Sequence, residues 1–220
     1  MLEAILDLIY PNVCGICNKV CSESLCKKCE ISLKQYEINK LINCRNNKEK
    51  YFDNSLSVFK YEGIIREKII EYKFSDKPYL YKFFSKIISE NEKTLGLFKT
   101  KYDIIIPVPI YKKKRQIRGY NQTELIAANI AKSITNLKYD EKILLKMKNT
   151  KPQSLLSKKE RKCNIKDVFV VNNKHVEKIK DKNVIVFDDI YTTGSTVNEC
   201  SKVLKENGAK EILVLTIAKD

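Results

Sequence analysis

The sequence predicts an α/β protein in which helices cover both faces of a parallel sheet, preceded by a small cysteine-rich module. From residue 55 onward, apolar strand-like segments alternate with segments of helical periodicity, an order typical of parallel sheets. Six of the eight cysteines fall within the first 44 residues. A content of 43% hydrophobic and 31% charged residues is that of an ordinary folded domain.

The predicted elements follow one another after a boundary near residue 50. "SLSVFKY" alternates as a strand does, and "IIREKIIEYKF" and "YLYKFFSKIISE" have helical apolar spacing. A buried strand, "YDIIIPVP", precedes the helix "NQTELIAANIAKSI". The strands "VFVV", "NVIVFDDI" and "EILVLTIAK" complete the sheet, with the helix "STVNECSKVLKEN" before the last and Gly208 at its C-terminal cap. We therefore divide the chain into residues 1–50, with an N-terminal helix and the cysteine module, and residues 51–220.

The net charge of +15 is concentrated in two stretches. Residues 99–118 hold seven Lys or Arg against one Asp, and residues 142–166 hold nine against one Glu. The connectors at 109–121 and 149–166 lie within or across these stretches and are longer than usual, which is typical of functional loops. Folded onto one face, they would create a strong positive field. Solvated lysine faces remain the alternative interpretation.

No run of 18 apolar residues occurs, and the N-terminal "MLEAILDLIY" carries acids where a secretory signal carries lysines. We therefore expect no integral membrane segment and a cytoplasmic location. Thiols stay reduced in that compartment, so clustered cysteines indicate a metal site rather than disulfides.

Two Cys-x-x-Cys pairs, "CGIC" and "CKKC", lie eight residues apart, an arrangement by which a short segment presents four thiolates to Zn²⁺. The predicted ligands are Cys14, Cys17, Cys26 and Cys29. Two further cysteines leave alternatives open, namely Cys44 in place of Cys26, or a role for Cys21. A segment of this length rarely builds a core without such a staple, which argues against buried thiols without metal.

The stretch "VIVFDDIYTTGSTV" (184–197) is the most informative in the chain. A buried strand leads into Asp188 and Asp189, which would stand at the edge of the sheet where ligands bind. The small and hydroxylated residues that follow could hold a phosphate at the start of the next helix, with Gly194 allowing close backbone approach. The alternative is a plain strand-to-helix turn capped by Ser195, which leaves the paired acids unexplained.

This stretch resembles the phosphoribosyl pyrophosphate (PRPP) loop of type I phosphoribosyltransferases. The resemblance implies a type I phosphoribosyltransferase-like fold, in which Asp188 and Asp189 hold the ribose hydroxyls. It assigns the 5′-phosphate to the loop residues Thr192, Thr193, Gly194, Ser195 and Thr196. Carboxylates suit the first role because they accept hydrogen bonds from hydroxyls.

Two more stretches, "PVPIYKKKRQIRGYNQTELIA" and "TKPQSLLSKKERKCNIKDVF", resemble those of the ComF family. The resemblance implies that 107–118 binds pyrophosphate through Arg115 and Arg118, since guanidinium groups suit phosphates. It also implies that residues 150–164 close over the site, bringing in Lys151, Gln153 and Arg161. The implied catalytic residues are then Asp188, Asp189, Arg161 and Gln153, and Mg²⁺ would bridge pyrophosphate and ribose oxygens.

The ComF resemblance implies a role in DNA uptake during natural competence, possible contact with other competence proteins, and contact of the basic loops with single-stranded DNA. Two alternatives stay open. The chain could be a phosphoribosyltransferase for an unidentified small-molecule acceptor, or a PRPP-sensing adaptor without turnover. The single histidine, His175, lies in the polar stretch "NNKHVEK" and is predicted to be a surface residue.

Overall fold

The computed structural model describes residues 12–150 and 157–220. Its strands are β1 (Glu37–Asn43), β2 (Asn54–Lys60), β3 (Ile104–Pro107), β4 (Lys138–Tyr139), β5 (Leu144–Lys146), β6 (Phe169–Val171), β7 (Asn183–Tyr191) and β8 (Glu211–Lys219). Its α-helices are α1 (Lys27–Leu33), α2 (Gly63–Phe74), α3 (Leu80–Ser89), α4 (Glu92–Thr100), α5 (Lys112–Arg118), α6 (Gln122–Ser133), α7 (Lys158–Ile165) and α8 (Ser195–Glu206). Short 3-10 turns span Lys34–Tyr36 and Asn173–Lys178.

Six of these strands form one sheet in the order β1-β2-β8-β7-β3-β4. Strand β7 lies at its centre and pairs in parallel with β3 on one side and β8 on the other. Strand β8 pairs in parallel with β2, and β3 with β4. Because the carboxyl ends of parallel strands meet at one edge of a sheet, the segments that follow β3 and β7 come together there.

The apolar run of β7 is buried on both faces of the sheet. Val184 and Val186 pack on one face with the apolar side of α8. Ile185 and Phe187 pack on the opposite face with residues of α2, α3 and α6. A strand covered on both sides is apolar at every position rather than at every second one. The α/β class, with helices on both faces of the sheet, is confirmed.

The sheet differs from the prediction in two ways. Strand β6, the predicted "VFVV" segment, lies outside it and pairs antiparallel with β5 in a separate two-stranded sheet. Strand β1 joins the main sheet at one edge, where it pairs antiparallel with β2. This strand lies on the N-terminal side of the boundary predicted near residue 50, yet it belongs to the main sheet. The sequence of β1 lacks the regular alternation of a strand, because the pairing is irregular between Glu37 and Lys40 and Asn39 has a φ of +43°. The N-terminal helix is predicted only as a part of residues 1–50, of which residues 1–11 lie outside the described part of the chain.

The two long basic connectors contain short helices that the sequence analysis treated as loops. Helix α5 lies in the first connector and α7 in the second. Ser157 and Glu160 form a capping box at the start of α7, in which each side chain bonds the other residue's backbone. The Ser-x-x-Glu spacing is the sequence signal for this helix. Helix α7 is joined to α8 by a hydrogen bond from the Asp167 amide to the Glu199 carboxylate, 2.9 Å long.

The cysteine module packs against the same face of the sheet as α3. Leu25 and Leu33 belong to the apolar cluster that includes Phe83 and Phe84. Gly15 lies so close to Phe83 that a β-carbon there would approach the ring to 2.6 Å.

Within the described residues, no helix is long and apolar enough to cross a membrane.

Candidate functional site

Residues 192–196, which run from the end of β7 into the first turn of α8, form the predicted phosphate cradle. Gly194 adopts a φ of +74° and is the residue immediately before the first turn of α8. A β-carbon at this position would lie 2.5 Å from the Tyr191 hydroxyl oxygen. Two features therefore favour glycine at position 194, namely the left-handed backbone conformation and the close approach of the Tyr191 side chain.

Hydroxyl groups line the phosphate cradle. The Thr193 and Ser195 hydroxyls lie 2.9 Å apart, and the Ser195 amide donates to the Thr193 hydroxyl at 3.4 Å. Gly194 occupies the N-cap position and Ser195 is the first helical residue. The predicted alternative of Ser195 as the cap is therefore wrong, because Gly194 holds that position. Amides of a helix's first turn point outward along its axis, so the start of α8 has the character of an anion site.

Asp188 and Asp189 are the sixth and seventh of the nine residues of β7, in its carboxyl-terminal half. The Asp189 amide donates to Asp188 Oδ1 over 2.9 Å. Burial, followed by the charge of Asp189, raises the pKa of Asp188 to about 7 against the opposing effects of Lys73 and Lys146. Two lysines from distant parts of the chain therefore balance this acid pair.

Sequence analysis did not identify either lysine. Lys73, in the last turn of α2, places its ammonium 2.6 Å from Asp189 Oδ2. Lys146, at the end of β5, donates to the Thr150 hydroxyl at 2.9 Å and lies 5.5 Å from the centre of the Phe169 ring. Burial lowers the pKa of Lys146. No local sequence pattern marks these residues, because the tertiary fold alone brings Lys73 into contact with Asp189 and the charge of Lys146 close enough to affect Asp188.

The predicted pyrophosphate loop is tied to both neighbouring elements. The Val108 amide donates to the Phe187 carbonyl at 2.9 Å, which joins the loop to β7. The Val108 carbonyl accepts from Asn121 Nδ2 at 3.1 Å and from the Thr123 hydroxyl at 2.8 Å. These bonds explain why an Asn-x-Thr sequence opens α6, since its side chains hold the Pro-Val-Pro turn in place.

Arg115 forms a two-point ion pair with Glu124 in the first turn of α6. Its guanidinium nitrogens lie 3.1 and 3.0 Å from the two carboxylate oxygens. The Glu124 side chain is 12% exposed, whereas that of Arg115 is 54% exposed. Burial raises the pKa of Glu124, although Asn121 and Arg115 oppose the effect. Glu124 thus anchors an arginine that still faces solvent, and the sequence analysis did not foresee this partner.

The remaining predicted anion contacts are only partly described. Arg118 is the last residue of α5, and Arg161 lies, partly exposed, in the first half of α7. Lys151 and Gln153 lie outside the described residues. Thr192 and Thr196 flank the glycine of the phosphate cradle and are half-buried. The structure thus brings together the acids and the cradle, with Val108 joined to the same strand.

Four thiols of the N-terminal module form one cluster. The sulfur atoms of Cys14, Cys17, Cys26 and Cys29 all lie within 4.8 Å of one another. Cys17 and Cys26 are 4.0 Å apart, close to the separation of about 3.8 Å that tetrahedral coordination by zinc requires. Burial raises the pKa of Cys14, but hydrogen bonds from Cys17, Cys26 and Ile16 outweigh it and lower the value to about 6. This donor set fits a tetrahedral metal ion.

The other two candidate cysteines have different surroundings. The Cys21 thiol donates to the Glu23 carbonyl at 2.8 Å. Cys44 packs against the apolar cluster on the opposite face of the sheet, beside Tyr191. The fold therefore brings the thiol of Cys26, and not that of Cys44, together with the other three.

Comparison with known proteins agrees with this geometry. A model described as a phosphoribosyl transferase domain matches residues 126–220, which include the acids and the phosphate cradle. Competence protein F of Haemophilus influenzae is 30% identical, over 97% of this chain and 93% of its own length. The chain belongs to the ComF family. Competence protein ComFC of Bacillus subtilis is 27% identical over 92% of this chain and 75% of its own length. DNA utilization protein YhgH of Escherichia coli is 24% identical over 97% of this chain and 93% of its own length.

The similarity to the ComF family extends over both the cysteine cluster and the phosphoribosyltransferase-type domain. The Haemophilus relative aligns over nearly the whole chain and thus spans both parts. The domain model covers only the C-terminal part, from α6 to the end of β8.

We expect the cysteine cluster to bind about one zinc ion per chain. Cys17→Ser should abolish this binding and lower the Tm by roughly 5 to 10 °C, because about 2–3 kcal/mol of metal-linked stability is lost. Cys21→Ser is the matched control, since a serine hydroxyl can keep the bond to the Glu23 carbonyl. Metal analysis and thermal unfolding of both variants provide the measurement. Retention of zinc by Cys17→Ser, or its loss from Cys21→Ser, would contradict the assignment.

Proposed function

We propose that this ComF-family chain binds PRPP with Mg²⁺ at the end of β7 and acts in DNA uptake. The observation that carries the proposal is the order of groups at that point. A buried central strand ends in two adjacent acids, and a left-handed glycine then opens α8. The acids suit a diol and the helix start suits a phosphate, and PRPP carries both groups on one ribose.

The 5′-phosphate would bind in the phosphate cradle. Amides at a helix N-terminus combine hydrogen-bond donors with the positive end of the helix dipole. The hydroxyls of Thr193 and Ser195 lie close to each other there and can donate to phosphate oxygens. Gly194 permits the ligand to approach the backbone closely because it carries no side chain.

The ribose hydroxyls would donate to Asp188 and Asp189. Mg²⁺ would supply positive charge between the pyrophosphate and ribose oxygens, in keeping with its preference for phosphates and water. Arg115 would donate to the pyrophosphate through its solvent-facing nitrogens while Glu124 fixes its position. By the family resemblance, Arg118, Lys151, Gln153 and Arg161 would complete the cationic side of the site.

Phosphoribosyl transfer would displace pyrophosphate from the ribose C1 in favour of an acceptor, and closure of residues 150–164 would exclude water. The acceptor is a small molecule in one version of this proposal. In another, the chain senses PRPP without turnover. Pyrophosphate release after addition of pooled nucleobases or DNA distinguishes the two, because a sensor binds PRPP without releasing pyrophosphate.

The role in DNA uptake is supported by the relatives named for competence and DNA utilization. Single-stranded DNA would bind along the basic connectors. Helix α5, which lies in the first connector, begins with three consecutive lysines, Lys112, Lys113 and Lys114. The cysteine cluster, holding Zn²⁺, would stabilise the N-terminal module and its packing on α3. In this proposal the protein acts in the cytoplasm, where competence proteins that handle incoming DNA would be its partners.

The acid pair provides the first test. We expect Asp188→Asn and Asp189→Asn each to weaken binding of Mg-PRPP and of ribose 5-phosphate by about tenfold or more, because each removes a charged acceptor of a hydroxyl. Binding of inorganic pyrophosphate should change little. Isothermal titration calorimetry measures all three ligands.

Asp167→Asn is the control for these variants. Asp167 is an exposed residue with a φ of +53°, a conformation that asparagine tolerates. The Asp167→Asn variant should bind Mg-PRPP, ribose 5-phosphate and inorganic pyrophosphate as the original chain does. Failure of the original chain to bind Mg-PRPP, or unchanged binding by both acid variants, would refute the proposed site.

Competition tests the contact with DNA. If the basic connectors serve both ligands, Mg-PRPP should displace a fluorescent single-stranded oligonucleotide, and excess oligonucleotide should weaken PRPP binding by the same factor. Fluorescence anisotropy at fixed ionic strength measures the displacement, since affinity for DNA depends steeply on salt. Simultaneous, independent binding would place any DNA on a surface away from this site.

A further inference from the structure

Lys73 lies on the face of the sheet opposite to α8, at the end of helix α2. Its ammonium is 2.6 Å from Asp189 Oδ2, and the two side chains are 21% and 18% exposed. A partly buried pair at this distance is stronger than an exposed surface pair. Sequence analysis gave no role to Lys73, and the roles proposed above for the acids and the cradle do not use it.

Neighbouring tyrosines fix the end of α2 relative to the rest of the site. The Tyr72 hydroxyl donates to the Gln122 carbonyl at 3.0 Å. The Tyr120 hydroxyl donates back to the Tyr72 carbonyl at 3.2 Å, and the two rings lie 5.9 Å apart. Tyr72 is buried. Lys73 is therefore held between the acid-bearing end of β7 and the start of α6.

The chemistry of diol recognition explains what such a lysine can do. A carboxylate must be ionised and correctly rotated to accept from a ribose hydroxyl. The charge of Asp189 raises the pKa of Asp188, the residue before it, so the two carboxyl groups repel each other. An ammonium bound to Oδ2 offsets this repulsion and fixes the side-chain torsion. The other oxygen, Oδ1, is then directed to accept from the ligand.

We propose that Lys73 is a positioning residue of the ribose-binding site, which acts through Asp189 and selects ligands that carry a ribose diol. This inference rests on the proposed function, since it concerns the same ligand. It assigns to α2, an element outside the matched domain segment, a part in recognition of the sugar. Lys73 itself does not contact the phosphates in this arrangement.

A double-mutant cycle with ribose 5-phosphate tests this role, because that ligand has the diol and the 5′-phosphate but no pyrophosphate. Lys73→Met should weaken its binding by about tenfold. In the Asp189→Asn background, the same substitution should change the affinity less than about twofold, because the group through which Lys73 acts is already altered. Lys73→Arg, which keeps the charge, should restore most of the affinity.

Two further measurements separate positioning from loss of structure. Inorganic phosphate should bind Lys73→Met as it binds the original chain, since the phosphate cradle is intact. Lys77→Met is the matched control, because Lys77 follows the same helix and pairs with Glu71 at 3.3 Å instead of with the acid pair. It should leave ribose 5-phosphate binding unchanged.

The outcomes distinguish this inference from the proposed function. Equal weakening by Lys73→Met in both backgrounds would mean that the lysine acts independently of Asp189, and would overturn the positioning role. Unchanged binding by Lys73→Met would overturn it as well, while leaving the PRPP site standing. Absence of ribose 5-phosphate and Mg-PRPP binding by the original chain would overturn both.

Discussion

The passage of the chain from β7 into α8 is the constraint on which the rest of the site depends. Strand β7 is fixed by parallel neighbours on both sides and by apolar packing on both faces, so its end cannot move independently of the core. From that end, the chain reverses into a helix through one left-handed residue, Gly194. This turn therefore sets the positions of the two acids that precede it and of the hydroxyl groups around Gly194.

Charge balance at this turn is achieved by residues far away in sequence. Lys73 reaches the acids from one face of the sheet and Lys146 influences them from the other. A similar arrangement holds the neighbouring loop, where Glu124 anchors Arg115. Unlike exposed pairs, these contacts are partly buried and limit the orientations of the charged groups. The fold itself thus limits the positions of these charged groups, which would reduce the entropic cost of binding a ligand.

Much of the fold could be predicted because the decisive patterns are local. The continuous apolar run of β7 and the periodicity of α2, α3, α6 and α8 predict their elements closely. The glycine between hydroxyls predicts the cradle, and the paired Cys-x-x-Cys spacing predicts which thiols cluster. Strand β1 escaped prediction because its irregular pairing breaks the alternation, and α5 and α7 because their lysine-rich sequences suggest loops.

The partners of the charged residues could not be predicted from local patterns. Lys73 and Asp189 are more than a hundred positions apart, and nothing near either residue marks the pair. Lys146 and Asp188 are 42 positions apart, and no pattern near either residue marks this pair. Glu124 is closer to Arg115, but its pairing depends on how α5 folds back onto α6. Such contacts arise from the packing of whole elements, so that only the tertiary structure reveals them.

The most direct test of the central claim is the affinity of ribose 5-phosphate for Gly194→Ala compared with Gly208→Ala. Both glycines have a positive φ, +74° and +91°, and they lie at opposite ends of α8. Each substitution should therefore cost about 1 kcal/mol or more of backbone strain. The account predicts that calorimetry shows a loss of about tenfold or more in affinity for Gly194→Ala alone. Equal binding by the two folded variants would contradict it.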